Sequence, residues 1–98
     1  MKGISATHSC DHFVAADAVS AREFDGEWIV LDLQRGSYYG LDELGGIIWG
    51  QLCAGRSPAD IAEVLATNYD APKATLLGDV LVLVDELLER GLVRRSDG

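Results

Sequence analysis

The hydrophobic pattern changes period once, at Leu41-Asp42, and that change limits the chain to a sheet followed by helices. Before it, apolar residues fall in short runs parted by turn residues. After it, they recur at helical spacing. Residues 19–24 predict a first strand and Asp25-Gly26 a tight turn. Residues 27–33, rich in Trp, Ile, Val and Leu, predict a second strand. Gln34-Arg35-Gly36-Ser37 predicts the next turn, and residues 38–41 a short third strand. With Arg35-Gly36 at the turn centre, Leu33 opposes Tyr38 and Asp32 opposes Tyr39. Leu33 and Tyr38 would then share one face, with Tyr39 on the other.

Beyond the change, Asp42 predicts a side-chain cap for a helix carrying Ile47, Ile48, Trp49 and Leu52, with Gly55 as its stop. Ser57-Pro58-Ala59-Asp60 opens a second helix with proline at its first position. That helix buries Ile61, Val64 and Leu65 and ends near Asn68-Tyr69. Ala71-Pro72 opens a third, which reaches Arg90-Gly91. The expected fold class is α+β: a three-stranded antiparallel sheet followed by three helices, in a winged helix-turn-helix-like arrangement. Residues 1–17 are expected to form a flexible arm, 18–93 the domain and 94–98 a polar tail.

A length of 98 residues argues for one domain, and a hydrophobic fraction of 48% supplies a core without disulfides or a metal. Cys10 and Cys53 do not make a disulfide framework, and Cys53, in an apolar helical stretch, reads as a small core residue. Lys plus Arg number 8 and Asp plus Glu 16, so the formal charge is 8 − 16 = −8. Such a chain repels nucleic-acid phosphates and anionic membranes. No apolar run approaches the roughly 20 residues of a membrane span, and residues 1–7 lack the apolar run of a secretory signal. The expectation is a cytoplasmic protein that binds neither nucleic acid nor membrane.

Five features bear on possible chemistry. His8-Ser9-Cys10-Asp11-His12 places three metal-type ligands at alternate positions, which share a side in a strand. No second ligand cluster follows, and a loose arm gives a Cys/His pair neither an orienting group nor a pocket. The reading is incidental surface residues, with no metal, no cofactor and no catalytic residue. Gly40-Leu41-Asp42-Glu43-Leu44 resembles an acyl-carrier attachment site, but Glu43 stands where the modified Ser must be. Gly45-Gly46 lacks the surroundings of a phosphate loop and is expected to allow close packing instead. Trp28 and Trp49 read as core or half-buried, and Asp85-Glu86 as solvated charge.

The third helix carries more apolar surface than one contact needs. At about 100° per residue, its Leu and Val residues from Leu76 to Leu88 fill an arc of roughly 160°, where packing on one surface takes about 100°. A central helix touching two core elements accounts for this. So does a stripe whose margin, at Leu83 beside Asp79, Glu86 and Arg90, lines a groove. Val82 falls on the polar side. Residues 72–90 carry Lys73 and Arg90 against Asp79, Asp85, Glu86 and Glu89, so 2 − 4 = −2. A helix that reads DNA should be basic, which weighs against the alternative of a winged-helix transcription regulator.

Several stretches together carry a family resemblance: Ile29-Val30-Leu31-Asp32-Leu33, Gly36-Ser37-Tyr38-Tyr39-Gly40-Leu41-Asp42, Ile47-Ile48-Trp49, and Gly55-Arg56-Ser57 followed by Ile61-Ala62. Asp79-Val80 leading to Leu87-Leu88-Glu89-Arg90-Gly91-Leu92-Val93 completes them. Over residues 18–93 the chain resembles the PqqD-like family. Members are leader-recognition elements for ribosomally made, post-translationally modified peptides, and the chain is most like the free-standing lasso-pathway type. Asp42 stands where Asn is more usual; both cap helices. The resemblance implies that a precursor's leader peptide adds as a strand beside residues 37–41. Its side chains would enter a groove between that strand and the third helix. It places Leu33, Ser37, Tyr38, Tyr39, Gly40 and Leu41 on the strand side, and Leu76, Asp79, Val80, Leu83, Glu86 and Leu87 on the helix side. It also implies a partner such as a leader peptidase, cyclase or other modifying enzyme. The open strand edge leaves the protein a monomer or a weak homodimer.

Overall fold

Asp25 and Gly26 both take left-handed backbone angles (φ 53° and 85°), the requirement of a two-residue hairpin turn. In the computed structural model, which describes residues 10–96, this turn joins β2 (Val19–Phe24) to β3 (Glu27–Asp32). Strand β4 (Ser37–Leu41) pairs with the other side of β3, giving an antiparallel sheet in the order β2-β3-β4. Helices α1 (Glu43–Cys53), α2 (Pro58–Asn68) and α3 (Lys73–Glu89) follow. The expected sheet and three helices are therefore present, in the expected order.

Helices α1 and α2 each start at a side-chain cap. Asp42 Oδ1 accepts the Gly45 amide at 2.7 Å, and Ser57 Oγ accepts the Asp60 amide at 3.2 Å. Helix α3 ends in a glycine-capped turn. Gly91 (φ 73°) lets its own amide reach Leu88 O, while the Leu92 amide reaches Leu87 O. The reversal swings Leu92 and Val93 back into the core.

Three expectations are corrected. The arm is not loose throughout: β1 (Phe13–Ala15) pairs with β5 (Val93–Arg95), so the chain's two flanks form a second, two-stranded sheet. The reason is Phe13, a large apolar side chain that is fully buried. The hairpin register also differs. Asp32 faces Ser37, Leu31 faces Tyr38 and Val30 faces Tyr39, so Leu33 lies in a four-residue turn and not opposite Tyr38. The Asp32 carboxylate fixes that turn by accepting the amides of Gln34 and Arg35, each at 3.1 Å. Finally, Cys53 is exposed, because α1 ends there and no later turn covers it. Its sulfur is partly desolvated, which pushes the thiol pKa up.

The core lies between the inner face of the β2-β3-β4 sheet and the helices. It is centred on Val30, Ile48, Leu52, Ile61, Leu65, Val80 and Val84. Trp49 is buried in it and Trp28 half-buried against it. Gly46 is required at the sheet contact, since a Cβ there would overlap the Trp28 indole. No helix among the described residues is long and apolar enough to cross a membrane.

Phe13→Ala is expected to lower stability by about 3–5 kcal/mol, read from the denaturant midpoint. An unchanged midpoint would show that β1 is dispensable to the fold.

Candidate functional site

Among the described residues the sheet has two free edges, and their residues differ. Edge strand β2 carries Arg22 and Glu23, with Asp25 beyond, the kind of charge that discourages pairing with another strand. Edge strand β4 reads Ser-Tyr-Tyr-Gly-Leu, with no charge at all. Of these two edges, β4 faces helix α3 across a groove.

The helical wall is one stripe. Asp79, Leu83, Glu86 and Arg90 are spaced four, three and four residues apart and so share a face. At one end, Tyr39 is half-buried with the Arg90 guanidinium 4.6 Å from its ring centroid. Arg90 Nη2 lies 3.3 Å from Glu86 Oε2, and the Tyr39 hydroxyl donates to Glu86. Burial first, then Glu86, raises the Tyr39 pKa above its ordinary value, with Arg90 opposing. Arg35 ties the β3–β4 turn to this end through Nη1, 3.1 Å from the Arg90 carbonyl.

At the other end the groove widens into a cleft of about 310 Å³. Gly40, Leu41 and Asp42 line one side, Leu44, Gly45 and Ile48 of α1 the base, and Asp79 and Leu83 of α3 the far wall.

The predicted site residues divide. Tyr39, Gly40, Leu41, Asp79 and Leu83 line the cleft, and Glu86 stands beside Tyr39. Ser37 starts the same edge strand. Leu76, Val80 and Leu87, expected on the groove wall, are 4%, 0% and 0% exposed and belong to the core. They neighbour Leu83 on the helix arc, but on the side that packs into the core. Tyr38 and Leu33 do not line the groove. Tyr38 is 74% exposed on the opposite face of the sheet, and Leu33 is exposed in the turn. The contribution of Leu44, Gly45 and Ile48 was missed; the signal was Asp42, whose capping role starts α1 where β4 ends.

Among the described residues, no layer covers the outer face of the sheet. Phe24, Ile29, Leu31 and Tyr38 point outward, with Phe24 59% exposed. A second cleft, about 410 Å³, opens there between Glu27, Ile29, Tyr38 and Gly40. Of the metal-type cluster, His8 lies outside the described residues. Cys10 is exposed, and His12 Nδ1 donates to the Gly55 carbonyl at 2.8 Å. No group of three metal-type ligands occurs among the described residues.

The family model for coenzyme PQQ synthesis protein D (PqqD) matches residues 27–93. The chain belongs to the PqqD family. The matched region runs from β3 to the start of β5 and contains the whole groove. The chain is 33% identical over 70 residues to a PqqA binding protein of Bradyrhizobium diazoefficiens (strain USDA 110). That match takes in 70% of this chain and 65% of the relative's length. Two solved structures are also similar. TbiB1 in complex with the TbiA(beta) leader peptide has a TM-score of 0.77 at 31% identity, covering 83% of this chain and 94% of that one. A lasso peptide synthetase B1 complexed with the leader peptide has a TM-score of 0.79 at 29% identity, covering 85% and 98%. The PqqD portion of Methylobacterium extorquens PqqCD, a stand-alone recognition element, shares the fold with a TM-score of 0.80 at 19% identity, covering 93% and 97%.

In this PqqD-family domain the Tyr39–Glu86 contact has a pH signature. The Tyr39 pKa is raised from 10.0, so its contribution to stability is complete below pH 10 and lost as pH rises through the folded value. Subtracting the ultraviolet titration of Tyr39→Phe from that of the parent should show a phenol ionising above pH 10. Glu86→Gln should move that ionisation downward; no movement would mean that Glu86 does not hold the hydroxyl.

Proposed function

We propose that this protein recognises the leader segment of a ribosomally made precursor peptide, in a lasso-type pathway, by adding it as a strand to β4. The observation that carries the reading is the uncharged edge of β4 beside a groove floored by α1 and α3. Unpaired N–H and C=O groups on that edge accept any sequence, and the groove supplies side-chain selectivity. Similarity to two proteins solved with leader peptides supports the same reading.

The role is delivery rather than catalysis. The polar side chains along the groove are a phenol, carboxylates and a guanidinium, without a nucleophile set beside a base. A leader strand on β4 would widen the sheet, and its backbone would continue the uncovered face bearing Ile29, Leu31 and Tyr38. A processing enzyme, such as a leader peptidase or cyclase, docking on that face would meet domain and leader together. The acidic third helix disfavours DNA as the ligand.

The groove margin and the core beneath it separate by mutation. Leu83→Ala should weaken binding of the leader from the same gene cluster by about 1–3 kcal/mol while leaving the fold intact. Leu87→Ala, fully buried, should lower stability by about 2–5 kcal/mol. Proline tests the strand. Successive residues of an antiparallel strand turn their N–H groups to opposite sides, so Tyr38 and Tyr39 face different ones. Of Tyr38→Pro and Tyr39→Pro, one should damage the sheet; the other should keep the unfolding midpoint and lose leader binding by fluorescence anisotropy. Normal binding by both proline variants would refute strand addition at β4.

A further inference from the structure

Taking peptide addition at β4 as given, the two ends of the groove offer different chemistry to the peptide's side chains. At the Tyr39 end the charges are already matched, since Glu86 pairs with Arg90 and also accepts the Tyr39 hydroxyl. At the cleft end they are not. Its walls are largely apolar, Leu41, Leu44, Ile48 and Leu83, with Tyr39 where it meets the other end, and among the described residues its charged groups are Asp42 and Asp79. Asp42 directs one oxygen to the α1 cap. Asp79 is exposed, and among the described residues no ion pair or hydrogen bond includes it. The cation on its own helix stripe, Arg90, is eleven residues away, about 16 Å along the axis. That is about twice the screening length at physiological salt.

We infer that this cleft is a subsite for a basic side chain of the bound peptide, Arg or Lys. An apolar wall ending in an unmatched carboxylate fits such a side chain in both its parts. The methylene stem packs along Leu44 and Leu83, and the charged head stays at the mouth. There it meets Asp79 in a charge-assisted hydrogen bond. A strand on β4 turns every second side chain toward the groove, so the preference falls at one inward position. Acidic residues are rejected at that position, because they would face two carboxylates across an apolar wall. This inference deepens the reading above and depends on it.

The test is selection of randomised twelve-residue peptides, by display, against the intact protein and against Asp79→Asn and Asp79→Lys. All three should share an unfolding midpoint, since Asp79 is exposed. The parent should enrich Arg or Lys at one position within an alternating apolar pattern. Asp79→Asn should lose that enrichment, and Asp79→Lys should replace it with Asp or Glu. On the parent protein, changing the enriched basic residue of a selected peptide to Gln should weaken binding about three- to tenfold, with the difference shrinking in high salt. Selected peptides with no basic preference, or one unchanged in Asp79→Asn, would overturn the subsite and leave strand addition standing. Failure of the parent to select any peptide would remove both.

Discussion

Helix α3 carries more apolar surface than the core can cover, and the functional reading depends on that surplus. Leu76, Val80, Val84 and Leu87 are taken up against the sheet and the other helices. Leu83 is left over at the margin, half-buried, with Asp79 and Glu86 on its flanks. The nearest strand to that margin is β4, whose outer backbone groups have no strand partner among the described residues. Buried backbone polar groups must be paired, so β4 can keep this edge only while water, or another extended chain, satisfies it. An apolar margin beside an unsatisfied strand edge is a surface shaped for an extended peptide.

Anchors at both ends hold the groove open. At the cleft end, bare backbone at Gly46 lets α1 lie directly on Trp28, and the Asp42 cap starts α1 as β4 finishes. Leu44 and Ile48 are thereby set under the strand's end instead of over it. At the other end, Arg35 bridges the β3–β4 turn to the carbonyl of Arg90, the residue that caps α3, while Asp32, 95% buried, braces the turn from below. Preformed geometry of this kind lowers the ordering cost that a peptide must meet on binding.

Much of this was legible in the sequence. Turn residues and caps are local chemistry, so Asp25-Gly26, Asp42, Ser57-Pro58 and Gly91 marked their elements correctly. The apolar excess of α3 and the uncharged β4 were equally visible. What failed depended on tertiary contact. Phe13 looked like part of a loose arm because its core partners lie far along the chain, and β5 had no signal of its own beyond Leu92-Val93. Leu33 does not pair with Tyr38 because the Asp32 carboxylate holds a four-residue turn in place of a two-residue one. Leu76, Val80 and Leu87 share an arc with Leu83, and periodicity cannot say which part of an arc meets the core and which meets a groove.

The central claim is that a peptide occupies the β4 edge and no other. Amide hydrogen exchange, measured residue by residue with and without saturating leader peptide, addresses it directly. Within Ser37–Leu41, the account predicts strong new protection at the alternate amides that face outward and little change at those already paired with β3. The β2 edge, Val19–Phe24, should exchange as before. Protection appearing along β2, or on the outer sheet face with β4 unchanged, would contradict the account and place the peptide elsewhere.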